Sequence, residues 1–555
     1  MNQVLSATQA TQFQKAMQHL IAGKSQTALG MARDLASEQP GAADAHQLLG
    51  MCLGEQGFPA EASSAFERAL SLLPGNRVVL KNFTAFLVKQ GKLFRSRHQF
   101  DAATAFLQRA VKLMPDHRFA WAELGMALRL TGDIDGALSA FDKAVKLGGG
   151  TPALRNAING TLQDAGQLET AVRGAQQLVN ENPGYAGAQE TLANILWENR
   201  QRLPREDDPF RLFRRAVKQQ PENTELHISF VRMLLSAKYW DEALNVLLPL
   251  RLRQPDNPVL SWYFAEALEN TGEVEAASRL FSSIASKWNN NAGFLNAYTR
   301  HAFRRKEIDL ANECASRAVV VDPGNQEAWA NLGIFWRLQN DAREYWLFDY
   351  ENLIEYIQIA PPSGYASNEE FLTVLQKKLE SMHQVSGEPI NQSVRGGSQT
   401  PGRLFGRKDP VLNELWLALQ SAVENWLGTL PRDAKHPFLS RNLKAVRSVG
   451  SWSVRLASAG RHSNHIHNQG WLSSAFHVSL PHEVQIGDKA QNGWLQFGSP
   501  LESLGLELPA RRLIQPKAGC LALFPSYMWH GTVPFTGEQA RLTIAFDMQP
   551  TAGTK

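Results

Sequence analysis

The chain is 555 residues long, with 43% hydrophobic and 20% charged residues. That length exceeds what one hydrophobic core organises, so at least two domains are expected. A net charge of +4, from 57 Lys and Arg against 53 Asp and Glu, is too weak to mark a nucleic-acid or anionic-membrane partner. No apolar stretch approaches a membrane span, and the first twenty residues lack the apolar segment of a secretory signal. Three scattered cysteines, Cys52, Cys314 and Cys520, argue against a disulfide framework and for a reducing compartment, so a cytoplasmic location is expected. One asymmetry stands out: six of the 14 histidines fall between His462 and His530.

The chain opens on a repeat. Small residues recur at Ala28, Ala62, Ala103, Ala137, Ala171, Ala243, Ala277 and Ala311, in steps of 34, 41, 34, 34, 72, 34 and 34. Twelve residues later in each unit runs a second series: Pro40, Pro74, Pro115, Gly149, Pro183, Pro221, Pro255, Asn289 and Pro323. Its steps are 34 apart from 41 and 38 at two insertions. Within a unit, residues 121–128 place apolar side chains at helical spacing around Gly125. Thr131-Gly132-Asp133 then breaks the helix, and a second amphipathic helix carries Ala137, Phe141 and Ala144. Period and residue order resemble the tetratricopeptide repeat over about residues 9–340. The resemblance implies stacked helix pairs with a concave surface that docks a protein or peptide. The insertions at 92–99 and 201–208 are expected to emerge as loops.

Beyond the repeats, residues 344–359 carry Tyr345, Trp346, Phe348, Tyr350 and Tyr356, and read as a terminal helix that caps the array. Ala360-Pro361-Pro362 breaks the chain. A helix is predicted at 368–383, followed by Ser386-Gly387-Glu388-Pro389 and a Gly/Ser/Gln/Thr stretch at 392–400. That stretch reads as a mobile linker or as a loop ordered against the next domain. Its basic cluster, Arg395, Arg403, Arg407 and Lys408, is either a solvated face or a contact for an acidic partner. Residues 411–430 form another amphipathic helix. From about Leu443 the period changes, with short alternating runs at 446–456, 474–480, 494–498, 521–524 and 541–546. These predict an all-β sandwich or barrel.

The histidines lie in this β region. On an extended strand His465 and His467 point the same way, so both present imidazole to one ion. His530 offers a third ligand. Arg541 and Thr543 share a strand face, and a guanidinium beside a hydroxyl receives a carboxylate well. The arrangement resembles the Fe(II)- and 2-oxoglutarate-dependent oxygenases, and more closely a bacterial and phage family of them. The matching stretches are Gly397-Ser398-Gln399-Thr400, His465-x-His467 with Leu472-Ser473-Ser474, Pro516-x-x-Gly519 with Leu523-Phe524-Pro525-Ser526, His530 and Arg541.

The resemblance implies a double-stranded β-helix (jelly roll) with Fe(II) on His465, His467 and His530. It implies 2-oxoglutarate with its distal carboxylate on Arg541 and Thr543 beside it. His477 stands where the family carries a tyrosine, and reads equally as a cosubstrate contact or a core histidine. The family's usual third ligand is a carboxylate, whereas the acids nearest to His465 in sequence are Glu483 and Asp488. His462 is an alternative partner for His465.

The expected architecture is multidomain: an all-α tetratricopeptide solenoid of nine to ten repeats at 1–345, a capping helix and linker at 346–390, and an oxygenase-like jelly roll with flanking helices at 391–555. The expected function is a 2-oxoglutarate-dependent dioxygenase that hydroxylates a protein or peptide recruited by the concave surface of the repeats. Two alternatives compete with it. One is a repeat scaffold with a degenerate oxygenase domain. The other is a cupin-like three-His metalloenzyme that uses no 2-oxoglutarate. A cupin pattern wants Glu four or five residues after the second His, where this chain has Trp471 and Leu472.

Overall fold

The computed structural model describes residues 3–200, 202–203, 208–383, 390, 393–484, 490–537 and 539–551. The chain divides into two compact units, Met1–Thr161 and Leu162–Lys555. In the first, helix pairs follow the 34-residue period under one local rule. Helix Arg118–Thr131 ends where Gly132 takes φ +93°, and Asp133 accepts the Gly136 N–H at 3.0 Å to start helix Ile134–Lys146. Gly125 has no side chain because Phe141 lies on it: a Cβ there would sit 2.4 Å from the ring. Phe66 covers Gly50 and Leu107 covers Gly91 in the same way. A second rule recurs in four of the repeats. The residue six places after the repeat's proline hydrogen-bonds that proline's carbonyl, from His46 to Pro40 (3.1 Å), Trp121 to Pro115 (2.8 Å), Gln189 to Pro183 (3.0 Å) and Trp329 to Pro323 (3.0 Å).

The insertion at 92–99 does not form a loop over its whole length. It extends helix Arg77–Ser96 to 20 residues. Leu93 and Phe94 continue the apolar spacing, Phe94 packs on Phe106 at 5.1 Å, and Arg95 pairs with Glu123 at 2.8 Å, so the added turns find partners. In the second insertion, Gln201 and residues 204–207 lie outside the described residues.

In the second unit the repeats continue to helix Gln326–Leu338. The predicted cap at 344–359 is a six-residue helix, Arg343–Phe348, followed by a strand. Asp349 adopts φ +31°, which ends the helix, and the aromatic run turns onto the sheet domain. Tyr527 donates to the Leu347 carbonyl at 2.8 Å, and Phe348 packs on the Tyr527 ring.

The strands are β1 Glu355–Gln358, β2 Val394–Gln399, β3 Val446–His462, β4 Leu472–Ser479, β5 Leu495–Phe497, β6 Arg512–Ile514, β7 Cys520–Pro525, β8 His530–Thr532 and β9 Arg541–Pro550. One sheet has the order β1-β7-β4-β9-β3-β2, the other β6-β5-β8, and every pairing is antiparallel. Helix Pro410–Thr429 buries Leu412, Leu415, Leu419, Val423 and Leu427 in the core with Phe546 and Met548 of β9.

The Gly/Ser stretch is β2, an edge strand, and is not a linker. Its glycines permit close approach: a Cβ on Gly397 would lie 2.4 Å from the Arg455 carbonyl oxygen, and Gly396 takes φ +66° at a register shift. Residues 386–389 and Gln392, also expected in this connection, lie outside the described residues.

The last repeat holds the loops beside His530. Arg337 donates to the carbonyls of Gly498 (2.7 Å) and Pro509 (2.6 Å), and Arg511 forms a bidentate pair with the buried Glu344 (2.9 and 2.7 Å). Among the described residues no helix is long and apolar enough to cross a membrane.

Candidate metal centre

His530 opens β8, where it pairs with Phe497 of β5. An isolated bridge joins it to His465 through His465 N–H to His530 O (2.9 Å) and the reverse bond (3.0 Å). His467 is fixed by its own N–H to the Ser526 carbonyl at 3.0 Å. The two small-sheet and loop elements are thereby clamped so that one ligand nitrogen from each of His465, His467 and His530 lies within 4.8 Å of the others.

The tautomers follow from the hydrogen bonds. His465 Nδ1 faces the Ser463 carbonyl at 2.7 Å, His530 Nδ1 the Met528 carbonyl at 2.9 Å, and His467 Nδ1 the Asp547 carboxylate at 2.6 Å. These oxygens only accept, so each Nδ1 carries a proton and Nε2 is the nitrogen that each ring turns toward the others. His465 Nε2 and His467 Nε2 stand 3.1 Å apart. At that distance the two nitrogens share either a proton, as a hydrogen bond, or a metal ion. A metal–imidazole bond of about 2.1 Å, taken twice at a right angle, spans about 3 Å, which matches. Burial pushes His465 and His530 well below the usual imidazole range, and the neighbouring imidazoles push the same way. Neutral imidazole is the metal-binding form.

The carboxylate absent from the neighbourhood in sequence arrives from β9. Asp547 accepts from His467 Nδ1 and from Ser473 Oγ (2.7 Å), and Ser473 also bonds Ser526 Oγ at 2.8 Å. A carboxylate behind a histidine ligand orients the ring and raises its basicity. Residues two apart share a strand face, so Arg541, Thr543, Ala545 and Asp547 all line the same cavity, of about 850 Å³, as the three histidines. That parity was the available signal for Asp547, since it lies six residues after Arg541. Ser393, just before β2, also escaped notice. Its hydroxyl lies 3.2 Å from His465 Nε2 and 3.0 Å from His462 Nδ1. His462 stands beside the three-His group and outside it; burial first, then Arg541, lowers it to about 3.

Arg541 is 2% exposed, and no described carboxylate pairs with it. Its guanidinium donates to the Gly493 carbonyl and reaches His477 Nδ1 at 3.5 Å, while Nε has no partner among the described residues. Burial lowers it to about 10, so it stays charged at neutral pH. His477 is fully buried, its Nε2 is also unpartnered, and burial ahead of Arg541 holds it well below the usual range. Thr543 sits across from His477 in the sheet. Tyr356 of β1 comes within 6.1 Å of the His477 ring, a contribution from a segment read as helix in the sequence.

Helical repeats followed by an antiparallel-sheet domain that gathers three histidines and a buried arginine define the class of protein. The comparisons assign its parts. Residues 88–152 match the tetratricopeptide repeat family, and residues 450–547 match the family described as "Putative 2OG-Fe(II) oxygenase". Residues 215–347 match the ChAPs family (Chs5p-Arf1p-binding proteins). The chain is 28% identical over 127 residues to the mouse Protein O-mannosyl-transferase TMTC1, a match covering 23% of this chain and 13% of that protein. A tetratricopeptide repeat protein of Parabacteroides merdae is 14% identical, with a TM-score of 0.33, over 45% of this chain and 98% of its own. The pilF protein of Pseudomonas aeruginosa is 16% identical, with a TM-score of 0.27, over 39% and 94%.

Proposed function

We propose that residues 391–555, with β1, form a double-stranded β-helix that binds Fe(II) through His465, His467 and His530, and that the protein is a 2-oxoglutarate-dependent dioxygenase. Its substrate is a protein or peptide recruited by the repeats at 1–345. The observation that carries this reading is a single cavity lined by three imidazoles whose ligand nitrogens lie within 4.8 Å of one another and by a buried arginine without a carboxylate partner among the described residues. When bound, Fe(II) and 2-oxoglutarate supply oxygen activation coupled to oxidative decarboxylation, yielding succinate, carbon dioxide and hydroxylated substrate.

The chain's own residues do the rest. Arg541 receives the distal carboxylate of the cosubstrate, with Thr543 on the same strand face and the unpartnered His477 Nε2 beside it. Met528, Ser463 and Asp547 hold each imidazole in the ligating tautomer. Asp547 also passes negative charge toward the ion through His467, which offsets the lack of a directly bound carboxylate. Phe497 and Phe524 pack on the His530 ring, at 6.4 and 4.6 Å, and keep bulk water from that side. The three cysteines are free and buried, in keeping with a cytoplasmic setting.

The test is succinate formation by the full chain with Fe(II), 2-oxoglutarate and oxygen. The expected result is 2-oxoglutarate-dependent succinate, lost in His465→Ala and in Arg541→Ala. A chain that binds metal yet forms no succinate with any protein extract would return the reading to a non-catalytic scaffold.

A further inference from the structure

The cavity over the three histidines does not end at the sheet domain. Trp197, Arg200 and Lys238, from the ends of two repeat helices, line it together with Arg395 of β2 and Trp452 of β3. Trp197 is ordered by Phe210 and Tyr239, and Arg200 lies over its indole at 5.0 Å. Trp452 stands 5.7 Å from the His467 ring. Among the described lining residues Arg200, Lys238 and Arg541 are cations without a carboxylate partner, while Asp547 is the one carboxylate and is already held by His467 and Ser473. Arg200 and Lys238 are exposed, and among the described residues neither pairs with a carboxylate. The volume, about 850 Å³, is near the upper end for small-ligand pockets and leaves room beyond a five-carbon dicarboxylate.

We propose that this wall selects the substrate: an acidic protein segment, rich in Asp and Glu, whose carboxylates pair with Arg200 and Lys238 of the repeats. The residue to be oxidised is then carried past Trp452 to the three histidines. The proposal rests on the dioxygenase reading and names the substrate class for that same site. It gives the repeats a role inside the site as well as in recruitment. A cationic rim accelerates encounter with an acidic partner and makes binding sensitive to salt.

The experiment is fluorescence anisotropy on the full chain with labelled pools of short random peptides. One pool is rich in Asp and Glu, one has Asn and Gln in their place, and one is rich in Lys and Arg. The acidic pool is expected to bind tightest and to weaken as salt rises. Arg200→Glu with Lys238→Glu should weaken it by roughly tenfold and improve binding of the basic pool. Equal binding of the acidic and amide pools, or no response to the double charge reversal, overturns the proposal. So does displacement of the acidic pool by free glutamate at similar concentration, which would assign the wall to small acids. Binding is read without turnover, with succinate measured in parallel. Charge-selective binding without succinate would sink the dioxygenase reading and leave the acidic-segment wall standing. Succinate formation indifferent to peptide charge would do the reverse.

Discussion

The interior of the repeats up to Thr161 and the interior of the sheet domain are built from different materials. Between paired repeat helices the buried residues are mostly Ala, Leu and Phe, with a few polar ones such as Gln47 and Thr84, and Phe141 fills the gap over Gly125. Along β3, β4 and β9 the buried residues include Ser453, Ser473, His477, Arg541, Thr543 and Asp547. Apolar burial stabilises at every position, whereas burying a guanidinium and several imidazoles costs stability unless something pairs with them. In the sheet domain much of that pairing is internal, through Asp547 and the serines. Among the buried atoms left without a partner in the described residues, Arg541 Nε belongs to a side chain that lines the same cavity as the three histidines. The first region is chiefly an apolar scaffold, whereas the second gathers imidazoles and a guanidinium around one cavity.

Four perturbations sharpen this contrast. The largest effect is expected from His530→Ala, which removes a ligand nitrogen and should weaken Fe(II) or Mn(II) binding by a factor of about 100 or more, measured by titration calorimetry under anaerobic conditions. Next, Phe141→Ala should cost the first unit about 3–5 kcal/mol in chemical denaturation and leave metal affinity unchanged. A third variant acts in the opposite sense on stability. Arg541→Met should raise the unfolding free energy of the ligand-free chain by about 1 kcal/mol or more, because an unpaired buried charge is removed, while 2-oxoglutarate binding is lost. If Arg541→Met destabilises the chain, the arginine is structural and the contrast fails. Asp547→Asn should cost about 10- to 100-fold in metal affinity with the fold retained by circular dichroism.

The smallest effect is a pH dependence. His383 donates to or accepts from Ser398 Oγ and Ser453 Oγ, both at 3.0 Å, and burial, with Arg455 adding to it, lowers it to about 4. The unfolded histidine takes a proton near pH 6.5, the folded one only near 4. Its contribution is therefore complete above pH 6.5 and is lost as pH falls toward 4, by at most about 1.4 kcal/mol per unit. Denaturation curves of His383→Phe should lose that part of the slope.

Legibility in the sequence followed the range of the interactions. The repeats were readable because each rule acts within about one period: Gly125 meets Phe141, and Trp121 meets Pro115. The helices at Asn368–Met382 and Pro410–Thr429 were readable from their own apolar spacing. Segments decided by a distant partner were not. Residues 355–358 are a strand because β7, more than 160 residues away, pairs with them; an aromatic run of that length carries no period of its own. The glycines of β2 read as a mobile linker or as a loop ordered against the next domain, because close backbone approach to β3 leaves the same composition as flexibility. At the site, the HxH spacing exposed His465 and His467, and Arg541 with Thr543 exposed the strand face. Asp547 was concealed because its role depends on β9 running antiparallel beside β4, which brings it opposite Ser473.

The most direct test of the central claim is calorimetric titration of 2-oxoglutarate into the full chain, with and without Mn(II) standing in for Fe(II) under anaerobic conditions. The account predicts one 2-oxoglutarate per chain that binds only with metal present and is lost in both His530→Ala and Arg541→Met. Metal binding without any 2-oxoglutarate binding would contradict it, and would point to a three-His metalloprotein that runs no 2-oxoglutarate chemistry.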